Sequence, residues 1–184
     1  MYVDFHSHIL PCADHGSESL EMSLSQLHNA KKAEVDTIVA TPHFYSNEDT
    51  VESFLVRREK AYNELVSAST HEIEIVKAAE VKLVTGIENL EGLEELCIDG
   101  TDYILIEFPT EPWPVGIFDT VTEIVRTRRL RPICAHIDRY SHLGREKLPV
   151  FFCFLRANCD SCFTLLWCRH IGSQTGFSMD SCHI

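Results

Sequence analysis

Asp4-Phe5-His6-Ser7-His8 sets two imidazoles one residue apart near the start of the chain. On a strand, alternate residues share a face, so His6 and His8 project together at a spacing that can chelate one ion. Next comes Leu10-Pro11-Cys12-Ala13-Asp14-His15-Gly16, a tight-turn sequence in which position 15 could also turn a third side chain toward the same region. Further along stand Thr41-Pro42-His43, then Glu80 behind an apolar run, then Glu107 in Ile104-Leu105-Ile106-Glu107-Phe108-Pro109, and last Ala135-His136-Ile137-Asp138-Arg139-Tyr140. A carboxylate behind Tyr103-Ile104-Leu105-Ile106 is costly to bury unless it is paired or metal-bound. Any one of these groups alone could be an ordinary strand-end residue. Their recurrence is the signal, because each successive strand delivers a histidine or glutamate at the same end. Imidazole and carboxylate donors suit manganese, iron or zinc. With Cys12 as the one thiol in these clusters, a closed structural zinc site built on thiolates is not expected.

The elements that must carry these groups alternate in type. Tyr2–Ile9 reads as a strand. Ser17 reads as the cap of a helix with Leu20, Leu24 and Leu27 on one face, and Glu18 and Glu21 in its first turn. Val35–Ala40 is a second strand. Thr50 opens a helix with a stripe of Val51, Phe54/Leu55, Tyr62 and Leu65. Glu72–Ala79 is strand-like, and Asp102–Phe108 is apolar enough for burial on both faces. Phe118, Val121 and Ile124/Val125 mark another helix, and Arg131–His136 a fifth strand. Repeated strand–helix units imply a parallel sheet or barrel, whose strand C-termini are where ligands gather.

The formal charge of −12 disfavours nucleic acid as a partner. No apolar run is long enough to span a bilayer. The start, Met1-Tyr2-Val3-Asp4, has neither the basic nor the apolar region of a signal peptide, so the expected compartment is the cytoplasm and the cysteines are expected as free, buried thiols. The texture changes after about residue 148. Pro149–Ile184 has no Lys or Glu, only two Asp, and five of the eight cysteines. Two domains of different character are therefore expected, 1–148 and an atypical Cys-rich 149–184. The second reads as a product of a shifted frame, with the original C-terminus lost. Cys159-Asp160-Ser161-Cys162 is a lone pair and is assigned no role.

Residues 1–148 resemble the PHP (polymerase and histidinol phosphatase) superfamily in Asp4-Phe5-His6-Ser7-His8-Ile9-Leu10-Pro11, the Asp14-His15-Gly16 turn, Ala40-Thr41-Pro42-His43, Ile104 through Pro109, and Ala135 through Tyr140. Within it they are most similar to the manganese-dependent tyrosine phosphatases of bacterial capsule and exopolysaccharide operons. The resemblance implies an α/β fold, a distorted (β/α)7 barrel incomplete at its C-terminus, with a trinuclear site. His6 and His8 would hold one ion, which Glu80 bridges to a second held by Glu107 and His136. His43 would help hold the third, with position 15, where the subfamily usually has Asp. Arg139 would take the substrate phosphate. Manganese is the implied metal, with iron or zinc as alternatives. A tyrosine-phosphorylated protein, a bacterial tyrosine kinase, is the implied partner. The family's late Ser-Asp-x-His ligands find no match, because Asp180-Ser181-Cys182-His183 is one residue too long.

A thiol-based phosphatase needs Cys, five residues, then Arg, whereas Cys134 and Arg139 have four between them. Two other readings stay open. One is a different PHP activity, on a small-molecule phosphate or as an exonuclease, the latter disfavoured by the acidic charge. The other is a non-catalytic chain that binds metal weakly.

Overall fold

The computed structural model describes residues 2–70, 72–110, 113–136 and 139. The expectations for 149–184 lie outside these residues. In chain order the elements are β1 (Tyr2–Ser7), α1 (Leu20–Lys32), β2 (Val35–Ala40), β3 (His43–Phe44), α2 (Val51–Ala68), β4 (Glu74–Lys77), β5 (Glu80–Lys82), β6 (Tyr103–Glu107), α3 (Ile117–Arg128) and β7 (Arg131–Cys134). Two short 3₁₀ turns, Ile87–Asn89 and Leu93–Leu96, occupy the connection from β5 to β6.

Every strand pairing is parallel, in the orders β1-β2-β4 and β3-β5-β6-β7. The two sheets are continuous in effect. Ala78 N donates to Ala40 O (2.9 Å) and Glu80 N to Pro42 O (3.0 Å), so β2/β3 and β4/β5 are two long strands, each broken once. Pro42 explains the first break, since it offers no N–H to the ladder.

This sheet must curl. Flat, its edge strands β1 and β7 would lie about 19 Å apart, four spacings of about 4.8 Å. Instead the rings of His6 and His136, one from each edge, are 4.5 Å apart. Inside the curl Val39, Ala78, Leu105, Ile133 and Ala135 pack together, with Val3, Phe5, Val76 and Tyr103 against them. The α/β class with parallel strands agrees with the expectation. The seven-unit barrel is not closed among the described residues.

Helices cover the outer face. Leu27 of α1 and Ala61 and Leu65 of α2 pack on Ile38 and Ala40. Phe54 of α2 and Val121 and Ile124 of α3 pack on Val81, Ile104 and Ile106. Thr50 caps α2 as expected, its Oγ1 accepting from Ser53 N at 3.2 Å. The cap of α1 is Ser19, not Ser17, and Ser19 Oγ accepts from Met22 N at 3.2 Å. Ser17 is instead committed to the preceding loop, where its N–H donates to His8 O and its carbonyl accepts from Cys12 N. Cys97 and Cys134 are free and buried, whereas Cys12 is exposed, contrary to expectation, at a left-handed position of that loop (φ 53°). Among the described residues no helix is long and apolar enough to cross a membrane.

Candidate metal centre

Simple strand alternation does not by itself place the histidines. In β1 the register runs Val3↔Thr37 and Asp4↔Ile38 but then Ser7↔Ala40, three residues against two. That extra residue is a bulge, and it shifts the phase of the strand. Val3 and Phe5 face the inner cluster before it, and His6 reaches Glu80 after it. His136 is re-aimed by a different device. Ile133 and Ala135 face inward, so alternation would turn His136 outward. A left-handed backbone at His136 (φ 49°) swings the ring back over the pocket. Such a conformation costs a non-glycine residue roughly 1–2 kcal/mol and is found where a site over-determines it. His43, Glu80 and Glu107 need no device. Each follows an inward residue by two positions or lies opposite one, as in the pairs His43↔Glu80 and Glu80↔Leu105.

Glu80 is the hub. Its side chain is fully buried, and four imidazole nitrogens surround its carboxylate: His136 Nε2 at 3.0 Å, His6 Nε2 at 3.1 Å, and His8 Nε2 and His43 Nδ1 at 3.2 Å. These are hydrogen-bond lengths, but neither carboxylate oxygen has a partner with hydrogen-bond direction. His6 Nε2 and His8 Nε2 also face each other at 3.2 Å. Glu107 joins from β6, with Oε2 3.9 Å from His43 Nδ1. Donor atoms of His6/His8/Glu80, of His8/Asp14/His43 and of His43/Glu80/Glu107 each converge within 4.8 Å. A buried carboxylate ringed by imidazole nitrogens fits a cation, which all of these donor atoms could approach at once.

Asp14 is the residue that sequence reasoning left in a turn. Its Oδ2 lies 2.6 Å from His8 Nδ1 and accepts from His43 N at 2.8 Å, while Oδ1 accepts from Gly16 N at 2.8 Å. The Asp-x-Gly turn was a visible signal, but whether Asp14 or His15 turned inward depended on the loop's path. His15 is exposed and belongs to none of the three converging sets, although its ring stacks on His43 with centroids 4.5 Å apart. Gly16 lets the loop come this close. A Cβ there would lie 2.3 Å from His8 Cβ. Arg57 of α2 ties the loop down, with Nε donating to Ala13 O at 2.9 Å while the guanidinium also pairs with Asp49. Arg139 lies at the edge of the pocket, its Nη1 3.4 Å from Glu107 Oε1 and its side chain 47% exposed.

Burial alone would raise the Glu80 carboxyl, but contacts from His136, His6 and His8 hold it well below the usual carboxylate range. Burial would lower the His8 imidazole, yet Asp14 and Glu80 raise it to about 9. Burial would raise Asp14 too, and His8 brings it down to about 2. His43 is lowered to about 4 chiefly by burial, which outweighs the opposing pull of Glu80 and Asp14. His43 is therefore ready to ligate at neutral pH, while His8 must first lose a proton. Metal affinity is expected to strengthen as pH rises from 6 toward about 9, with proton release at neutral pH. Calorimetry in buffers of different ionisation enthalpy measures both. Equal affinity at pH 6 and 8 with no proton release would contradict this. In the metal-free protein the raised His8 contributes stability that is full below pH 6.5 and is lost as pH rises through about 9.

Cys134 offers no alternative chemistry. It packs in the outer core, and burial pushes its thiol up to about 12. A thiolate nucleophile needs the opposite shift.

Fold and pocket together define a parallel α/β protein with a histidine- and carboxylate-lined site of the metal-binding kind at its strand ends. The sequence model of the family described as capsular polysaccharide synthesis, CpsB/CapC, matches residues 2–151, and the chain belongs to that family. It is 30% identical over 144 residues to a protein of Staphylococcus aureus named putative tyrosine-protein phosphatase CapC, covering 74% of this chain and 54% of that one. It is 30% identical over 155 residues to tyrosine-protein phosphatase CpsB of Streptococcus pneumoniae, covering 80% and 61%. The chain thus spans between about half and three fifths of the length of these relatives. Its fold matches the crystal structures of YwqE from Bacillus subtilis and CpsB from Streptococcus pneumoniae, described as unique metal-dependent tyrosine phosphatases. The TM-score is 0.67 at 22% identity, over 82% of this chain and 62% of that one.

Proposed function

We propose that the chain is a metal-dependent phosphomonoester hydrolase of the cytoplasm, acting on phosphotyrosine in a protein, a bacterial tyrosine kinase, in the control of capsule or exopolysaccharide synthesis. The observation that carries this reading is Glu80, buried among four imidazole nitrogens at 3.0–3.2 Å. The family and the names of its members supply the substrate class. The family match stops at residue 151, close to the change of texture near 148, which supports 1–148 as the unit that carries the site.

His6, His8 and Glu80 would hold one ion, Glu80 with Glu107 and His136 a second, and His43 with Asp14 a third, beside which His15 stands as a further donor. Manganese is the metal we assign. Bound there, it would supply an activated water and charge neutralisation for the phosphoryl oxygens. The chain's own groups do the rest. Asp14 holds the His8 Nδ1 side, fixing which nitrogen faces the pocket. Glu107 tethers Arg139, whose planar fork can take two phosphoryl oxygens as a lysine cannot. Tyr45, pushed up to about 12 by burial and by Glu107 and Glu80, keeps its proton at neutral pH and so can donate but not act as a base.

The manganese-loaded chain is expected to hydrolyse p-nitrophenyl phosphate and a phosphotyrosine peptide, to stop on chelation, and to continue when Cys134 is changed to serine. A metal-loaded chain that turns over neither substrate would remove the hydrolase reading. One that prefers a DNA end to the phosphopeptide would replace it with an exonuclease.

A further inference from the structure

We infer that Lys82 is a second cation for the substrate's phosphoryl dianion, placed across the pocket mouth from Arg139; this rests on the hydrolase reading above. The placement follows from the strands. Glu80 points into the pocket, so Lys82, two residues on, stands on the same face one step nearer the mouth. In the β5–β6 ladder Lys82 is the direct partner of Glu107, the residue that Arg139 approaches at 3.4 Å. Lys82 and Arg139 therefore both stand beside Glu107.

The ammonium group is held in place. Its Nζ lies 5.2 Å from the centroid of the Tyr45 ring, a cation–π contact. Tyr45 in turn stacks on His43, centroids 5.2 Å apart and planes at 20°, and His43 on His15. A row of rings thus runs from the pocket to the lysine. Lys77, by comparison, is paired with Glu59 at 2.7 Å. Among the described residues no carboxylate lies within ion-pair distance of Lys82. An exposed cation left on an aromatic ring at the mouth of a carboxylate-lined pocket is available to an incoming anion. A phosphomonoester dianion has two charges and three oxygens, enough for Arg139 and Lys82 together.

The test uses the full chain loaded with manganese and reads phosphorus-31 relaxation during titration with inorganic phosphate and phenyl phosphate, beside KM and kcat for a phosphotyrosine peptide. Lys82→Met is expected to weaken phosphate binding and raise KM about tenfold, the loss of one charge-assisted contact. Metal stoichiometry should not change, Lys82→Arg should retain most of the affinity, and Lys31→Met, which removes the same charge from the end of α1, should have no effect. Equal phosphate affinity in Lys82→Met and the unaltered chain would overturn the inference. So would an equal loss in Lys31→Met, which would reduce the effect to net charge. If the unaltered metal-loaded chain bound no phosphate at all, the hydrolase reading itself would fall. Because Lys82 is exposed, these variants are expected to fold.

Discussion

Glu80→Gln is expected to lower turnover on the order of 10³-fold or more and to reduce the metal retained after dialysis, while leaving the fold intact. Glutamine has the shape of glutamate, so packing around a side chain of zero exposure need not change. What changes is chemistry. The carboxylate presents two acceptor oxygens to His6, His8, His43 and His136 and can bridge two cations. The amide presents one oxygen and two N–H donors, and those donors would face the same converging nitrogens. The substitution also removes a group that raises His8, so the metal-free variant should lose less stability between pH 6.5 and about 9 than the unaltered chain does. Elemental analysis after dialysis, kcat/KM at saturating manganese, and denaturation across that pH range provide three separate readouts. Full metal retention with near-normal turnover would mean that the reaction centre lies elsewhere.

Phe54→Ala is expected to cost about 3–5 kcal/mol, the range for deleting a buried aromatic ring. The ring is fully buried and meets Phe44 edge-on, centroids 5.3 Å apart. The guanidinium groups of Arg57 and Arg58 lie over it at 5.4 and 5.5 Å. All three neighbours lead to the site. Phe44 follows His43 in β3. Arg57 holds the carbonyl before Asp14. Arg58, itself buried, donates to Ala78 O at 3.0 Å, at the break just before Glu80. Removing the ring therefore leaves a cavity and also loosens three supports of the pocket. A lower urea midpoint with unchanged slope is the expected signature, accompanied by weaker metal binding. A loss below about 1 kcal/mol would show that the outer layer collapses around the gap, and that the helix does not support the site as described.

Much of this was legible in the sequence because burial on both faces leaves a plain mark. Ile104-Leu105-Ile106 read as an interior strand and is one, and Thr50 before the stripe of α2 read as a cap and serves as one. Less legible were features set by competition between neighbours. Ser17 and Ser19 are equally good caps as residues. Ser19 caps the helix because the backbone of Ser17 is held in the preceding loop, by His8 and Cys12, before the helix begins. Likewise Asp14 and His15 are both plausible donors side by side, and only the fold of the loop over Gly16 turns Asp14 toward His8 and His43.

By itself the sequence marked His6, His8, His43, Glu80, Glu107 and His136, though not Asp14, along with the strand ends that carry them and the parallel α/β class, because ligand chemistry and hydrophobic period are properties of residue type and spacing. Tertiary structure alone decided how those donors meet. An extra residue in β1 sets the phase that brings His6 to Glu80, and a left-handed backbone at His136 turns its ring back inward. The curl of the sheet brings the two edge strands within ring contact. Each depends on the register between strands distant in sequence, which no local pattern encodes.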